Sequence, residues 1–107
     1  MLTVIFATPN GMRTLPSVLD AYLALEVPDG GWKLVVVDNS STDRSRECIS
    51  SFQDRLPLTY LYEETLGKNV ALNAAVAHIE GDLVVLTDDD VFPRPDWLVR
   101  MRSVANN

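Results

Sequence analysis

The stretch Leu83-Val84-Val85-Leu86-Thr87-Asp88-Asp89-Asp90 decides how this chain is read. Four consecutive aliphatic residues after Gly81-Asp82 predict a strand buried on both faces, as in a parallel sheet. Three carboxylates at its exit repel one another at neutral pH unless something offsets their charge. Hard carboxylate oxygens suit Mg²⁺ or Mn²⁺, which makes Asp88, Asp89 and Asp90 candidate metal ligands. A solvated acidic turn is the competing explanation for such a run. Position favours the metal, because ligands of open parallel sheets bind just beyond the carboxyl ends of the strands.

Outward from this stretch, strand and helix signals alternate. Val4-Ile5-Phe6-Ala7 and Leu34-Val35-Val36-Val37 predict two buried strands, and Leu58 to Glu63 a shorter one whose weaker apolar character suits an edge. Leu15, Val18, Leu19, Tyr22 and Leu23 keep the spacing of one helical face, with Pro16 tolerated in the first turn. Pro28-Asp29-Gly30-Gly31 then closes that segment with a turn. Ser41 or Thr42 is expected to cap a second helix that turns Ile49 and Phe52 inward. A third helix is expected from about Lys68 to Glu80, with Gly81 as its C-terminal cap. Pro95 opens a last helix, where Trp97, Met101 and Val104 repeat at helical spacing. The order βαβαβαβα implies an α/β fold: a Rossmann-like parallel sheet with helices on both faces.

A chain of 107 residues, 47% hydrophobic and 22% charged, suits one globular unit. Its net charge of −6 argues against nucleic acid or an anionic membrane as main partner. A phosphate-bearing small molecule remains compatible where a metal bridges the two sets of negative charge. Cys48 is the only cysteine, so no internal disulfide forms, and a buried packing role suits it better than a nucleophilic one. No apolar run is long enough to span a bilayer, and Met1 to Phe6 lacks the basic flank of a signal peptide. A cytoplasmic location is therefore expected. His78 has no serine or cysteine arrangement around it, and no zinc-ligand spacing occurs.

Parallel strands bring three polar clusters to one sheet edge: Thr8-Pro9-Asn10, Asp38-Asn39-Ser40 and Asp88-Asp89-Asp90. In that crevice Asp38 can accept hydrogen bonds from a base or ribose, or serve its own turn. The first loop has a single glycine, Gly11, and no GxGxxG, which counts against a dinucleotide. Arg13 and Lys68 can reach a pyrophosphate or stand as plain surface cations. Asn69 and Asn73, one helical turn apart, point to ligand contact or capping in equal measure.

Three ordered segments, Val35-Val36-Val37-Asp38-Asn39-Ser40-Ser41-Thr42-Asp43, Leu66-Gly67-Lys68-Asn69-Val70-Ala71-Leu72-Asn73 and Leu86-Thr87-Asp88-Asp89-Asp90, resemble the family-2 glycosyltransferases of the GT-A fold. The resemblance covers nearly the whole chain and implies strand order 3-2-1-4. It implies that Asp38 contacts the nucleotide base, that Asp88 and Asp90 form the Asp-x-Asp on ribose and on Mn²⁺ or Mg²⁺, and that Lys68 and Asn69 lie near the donor. Either Asp89 or Asp90 is then the principal metal ligand. Thr8 and Asn10 match the family's first-strand exit, here continued as Pro9-Asn10-Gly11-Met12-Arg13. Together Thr8, Pro9, Asn10, Arg13, Asp38, Asn39, Lys68, Asn69, Asn73, Asp88 and Asp89 make up the expected nucleotide-sugar site.

The implied activity is glycosyl transfer from a nucleotide-diphospho-sugar to an acceptor hydroxyl, by inversion in the full-length enzyme. Inversion needs a general base near the acceptor. After Asp90 the only acid is Asp96, so the base is expected beyond Asn107. Residues 1–107 are accordingly expected to be the donor-binding part of a truncated GT-A domain, whether a fragment or a shortened gene product, and inactive alone. The alternative is a non-catalytic nucleotide-sugar-binding or interaction module. A receiver-type domain needs acids after its first strand, where Thr8-Pro9-Asn10 stands, and a nucleotidyltransferase favours a glycine-rich basic first loop. The 3-2-1-4 order leaves the fourth strand at an edge, which with the Trp97 helix predicts a homo-oligomer. The full-length enzyme can be membrane-peripheral, although this chain carries no span.

Overall fold

The computed structural model describes residues 1–106. Strands and helices alternate strictly: β1 (Leu2–Thr8), α1 (Leu15–Tyr22), β2 (Trp32–Asn39), α2 (Ser45–Phe52), β3 (Leu58–Glu63), α3 (Lys68–Val76), β4 (Leu83–Leu86) and α4 (Trp97–Ala105). The strands form one parallel sheet in the order β3-β2-β1-β4, the order the resemblance implied. β1 and β2 hold the centre, buried on both faces, which is why they read as unbroken aliphatic runs. Leu2, Val4, Phe6, Leu34 and Val36 face one layer, filled by Leu15, Val18 and Leu19 of α1, Ile49 and Phe52 of α2, and Leu98 of α4. Ile5, Val35 and Val37 face the other layer, where α3 lays Ala71 and Ala75 against them. Two alanines at that contact let the α3 backbone lie close to the sheet.

Several sequence expectations need correction. β4 is buried only at Val85, and Val84 and Leu86 are 38% and 61% exposed. Among the described residues no strand covers its outer side, so an aliphatic run that reads as two-sided is half bare. α3 ends at Val76 with Ala77 as its C-cap, not near Glu80. Beyond it the chain turns through His78 and Ile79, whose amides bond the Ala75 and Val76 carbonyls. Thr3 Oγ1 anchors Glu80 by donating to its carbonyl at 2.7 Å and accepting its amide at 3.0 Å. Gly81 follows with φ +84°, where a Cβ would stand 2.0 Å from the Met1 carbonyl oxygen. Its glycine thus answers a close backbone approach instead of a helix cap.

α2 begins at Ser45 after Arg44, so neither Ser41 nor Thr42 caps it. In α4 the inward residues are Leu98 and Arg102, and Met101 and Val104 lie 37% and 74% exposed. Arg102 occupies an inward position because its guanidinium binds both Asp82 carboxylate oxygens, at 3.1 and 3.0 Å, and the Met1 carbonyl at 3.3 Å. Pattern reading counts an arginine as outward and so misses this face. Leu23, expected on the inner face of α1, is exposed at its end. Cys48 is half-buried against the first layer, and burial pushes its thiol pKa up, which keeps it a poor nucleophile.

Candidate functional site

The loops leaving β1, β2 and β4 meet at one edge of the sheet, and hydrogen bonds between them set the site. After β1 the chain turns through Asn10 with φ +53°, and after β2 through Ser40 with φ +62°. A left-handed non-glycine residue costs roughly 1–2 kcal/mol, so both turns need support from outside themselves. Asn10 supplies it with Oδ1, which accepts the Thr42 amide at 2.7 Å and the Asp43 amide at 3.2 Å. Ser41 Oγ accepts the Asn10 amide at 2.9 Å and donates to the Thr8 carbonyl at 3.1 Å. Asp43 accepts the Met12 amide at 3.2 Å, the Ser45 amide at 2.9 Å and the Ser45 hydroxyl at 2.5 Å. Ser45 Oγ in turn accepts the Gly11 amide at 3.1 Å. Ser41, Thr42, Asp43 and Ser45 thus spend their side-chain oxygens tying the first loop to the second.

Asp38 and Asn39 end β2, exposed only 1% and 2%. Asp38 Oδ1 accepts the Ser41 amide at 3.2 Å, and Oδ2 accepts the Tyr60 hydroxyl at 2.5 Å. Burial, with the Asp38 hydrogen bond added, pushes the Tyr60 phenol well above its ordinary pKa, so it remains a donor. Asn39 holds the loop between β3 and α3. Its Nδ2 donates to the Glu63 and Thr65 carbonyls at 3.2 and 2.8 Å, and its Oδ1 accepts the Gly67 amide at 3.0 Å. That loop delivers Lys68 to the first turn of α3.

The acidic run divides by environment. Asp89 turns inward, its Oδ2 accepting the Thr8 hydroxyl at 2.9 Å, and its carbonyl accepts the Thr14 hydroxyl at 2.9 Å. Asp88 pairs with Lys68 Nζ at 2.9 Å, and Asp90 is exposed. The Asp88 hydrogen bond, aided by the charges of Asp88, Asp89 and Asp90, raises the Lys68 pKa. A cleft of about 340 Å³ is lined by Ala7, Pro9, Asn39, Leu66, Gly67, Lys68, Asp88 and Asp89. Gly11 sits behind it, where a Cβ would stand 2.0 Å from Thr8 Oγ1 and 3.0 Å from Asp89 Oδ2.

Of the expected site residues, the cleft gathers Pro9, Asn39, Lys68, Asp88 and Asp89. Thr8 and Asp38 lie buried beside it, joined through Asp89 and Asn39 respectively. Asn10 is spent on the second loop, and Arg13, Asn69 and Asn73 are exposed outside the cleft lining. Sequence reasoning missed Tyr60, Thr14 and Ser45. Tyr60 was legible only as half of an alternating pattern, because its register against Val36, two residues from Asp38, comes from strand pairing. Thr14 had no signal. Among the described residues no three His, Cys, Asp or Glu side chains close around a metal position. The donor set still fits a divalent cation of the kind that takes one or two carboxylates and completes its shell with substrate phosphates and water.

An open parallel sheet of this order, with acids at the exits of the second and fourth strands, matches the N-terminal part of the GT-A glycosyltransferase fold. The family model for glycosyl transferase family 2 matches residues 3–107, and the chain belongs to that family. It is 30% identical over 105 residues to an uncharacterised glycosyltransferase of Nostoc, covering 96% of this chain and 32% of the relative. Among solved structures, it is similar to the Pyrobaculum calidifontis mannosyltransferase PcManGT in complex with GDP-Man and Mn²⁺, at 34% identity and TM-score 0.82 over 92% of this chain and 30% of that one. It is also similar to Staphylococcus aureus TarS 1-349 in complex with UDP-GlcNAc, at 25% identity and TM-score 0.87 over 98% of this chain and 31% of that one. The chain spans about a third of the length of the curated relatives it matches.

Proposed function

We propose that residues 1–107 form the donor-binding part of an inverting glycosyltransferase that takes a nucleotide-diphospho-sugar. The observation that carries this reading is the cleft where Lys68 faces Asp88 and Asp89 at the carboxyl ends of the strands. The GDP-Man and UDP-GlcNAc held by similar proteins support the ligand class. In this reading Asp38, buried beside the cleft and held by Tyr60 and Ser41, has spare lone pairs and would meet a base or ribose if ligand entry uncovers that edge. Pro9 and Leu66 wall the cleft, and Lys68 meets the diphosphate. Asp88 and Asp90 would hold Mn²⁺ or Mg²⁺, which supplies charge neutralisation for the diphosphate, and Thr8 keeps Asp89 turned inward. The Mn²⁺ of the mannosyltransferase complex supports that choice of ion.

The acceptor site and its general base belong, in this reading, to sequence outside these residues, since the matched relatives are about three times as long. The whole enzyme would work in the cytoplasm, facing a membrane or free of it. Among the described residues no helix is long and apolar enough to cross a membrane. Calorimetry with UDP, GDP and TDP, each with Mn²⁺ and with EDTA, tests the reading. At least one nucleotide should bind, and more tightly with Mn²⁺. No binding by any of them overturns it.

A further inference from the structure

Lys68 Nζ lies 2.9 Å from Asp88 Oδ1, and the two side chains are 65% and 55% exposed. The pair crosses the cleft that the donor is proposed to enter. It occupies the same carboxylate that the proposed site offers to a divalent cation. An ammonium and a metal ion cannot share that oxygen without strong mutual repulsion. An exposed pair of this kind is also weak, so it can be exchanged for a better partner. The backbone around it is fixed, because Asn39 Oδ1 holds the Gly67 amide at the entrance to α3. The flexible stem lets the ammonium move while its Cα stays in place.

We propose that Lys68 is a counter-ion switch coupling metal and nucleotide binding, an inference that rests on the donor-binding reading above. In the empty cleft it neutralises Asp88 and holds off a cation that arrives alone. When a nucleoside diphosphate enters, the ammonium transfers to the phosphate oxygens and Asp88 is released to the cation. Metal and nucleotide then each favour the other's binding, and by linkage the two couplings are equal. Lys68 therefore opposes one ligand and assists the other, a pair of opposite signs that neither a surface cation nor a plain phosphate ligand produces.

The test uses the whole chain as wild type, Lys68→Met and Lys68→Arg. Mn²⁺ alone is titrated by the loss of its free-ion electron paramagnetic resonance signal, and UDP and GDP by calorimetry with and without Mn²⁺. Lys68→Met should tighten Mn²⁺ alone by about fivefold at low salt, with the gain shrinking as salt rises. It should weaken the nucleotide that wild type binds with Mn²⁺ by roughly tenfold, the loss of a charge-assisted contact. Lys68→Arg should keep the wild-type pattern. Mn²⁺ alone bound equally or less tightly by Lys68→Met overturns the switch, whether or not nucleotide binding falls. Failure of the donor-binding reading is separately visible, because wild type itself would then bind no nucleotide under any condition.

Discussion

Asn39→Ala separates a ligand contact from a structural anchor at the centre of the site. Asn39 is 2% exposed and makes three side-chain hydrogen bonds, to Glu63, Thr65 and Gly67. At ~1 kcal/mol net for each, their sum is ~3 kcal/mol. Thr65 is exposed and Gly67 half-exposed, so water recovers part of that sum, leaving a loss of ~2 kcal/mol. For a domain of this size that lowers Tm by roughly 8–16 °C. Asn39→Asp keeps the acceptor for Gly67 but sets a buried anion against two carbonyl oxygens, so it should be no more stable than alanine at pH 7. Such a carboxyl has its folded pKa raised, so its penalty is full above that pKa and fades as pH falls through it. Urea denaturation of both variants, at pH 7 and at pH 5, supplies the measurement. An Asn39→Ala stability within about 0.5 kcal/mol of wild type, the range of an ordinary surface substitution, would refute the anchor.

Other consequences follow from the same bonds. The slight burial of Asp43 pushes its pKa up, but hydrogen bonds from the Ser45 hydroxyl and amide and the Met12 amide outweigh it and the net shift is down. Its stabilisation is therefore full above the ordinary carboxylate range and lost as pH falls through the lowered value. Asp43→Asn should flatten the acid limb of the Tm–pH curve below about pH 4, and an unchanged limb would count against this. Gly11→Ala should displace Thr8 from Asp89, costing ~1–3 kcal/mol and most of the Mn²⁺-dependent nucleotide affinity, and a folded variant with full affinity would contradict that geometry. The bare edge of β4, with Leu86, Phe92 and Val104 at 61%, 55% and 74% exposure, should pair with a second copy. Light scattering at micromolar concentration checks this, and a clean monomer would contradict it.

The strands and the crevice were legible because burial leaves a continuous aliphatic trace and parallel strands carry their exits to one edge, whereas the strand order came from the family resemblance. Val35-Val36-Val37 could hardly be anything but a central strand. The same signal misled at Leu83-Val84-Val85-Leu86, since an aliphatic run reports that a residue can be buried, not that a neighbour covers it. Helix ends were illegible for a related reason. α3 stops at Val76, and the segment after it is tied at Glu80 to Thr3, 77 residues away, a bond that no local pattern carries. Within the site, residue types pointed to the right loops. Whether Asn10 or Asn39 faces a ligand or a neighbouring loop depends on hydrogen bonds between strands whose register the sequence does not display.

Those bonds divide the cleft into two mechanical halves. On the β1–β2 side, Asn10, Ser41, Asp43 and Ser45 lock two turns with positive φ, and Tyr60 fixes Asp38. Such a preorganised surface suits the rigid, planar part of a nucleotide, because ordering is complete before the ligand arrives. On the other side, the Asp88 side chain beyond β4 and the Lys68 side chain of α3 are held to each other by one exposed ion pair. In the proposed donor-binding reading, that side would meet the part of the ligand whose charge changes most when a diphosphate is made or released. Weak, exchangeable contacts are what such a group requires, since a rigid cage for a cation would bind it without the nucleotide and resist its departure. The rigid half can therefore select the nucleotide, and the loose half can respond to its charge.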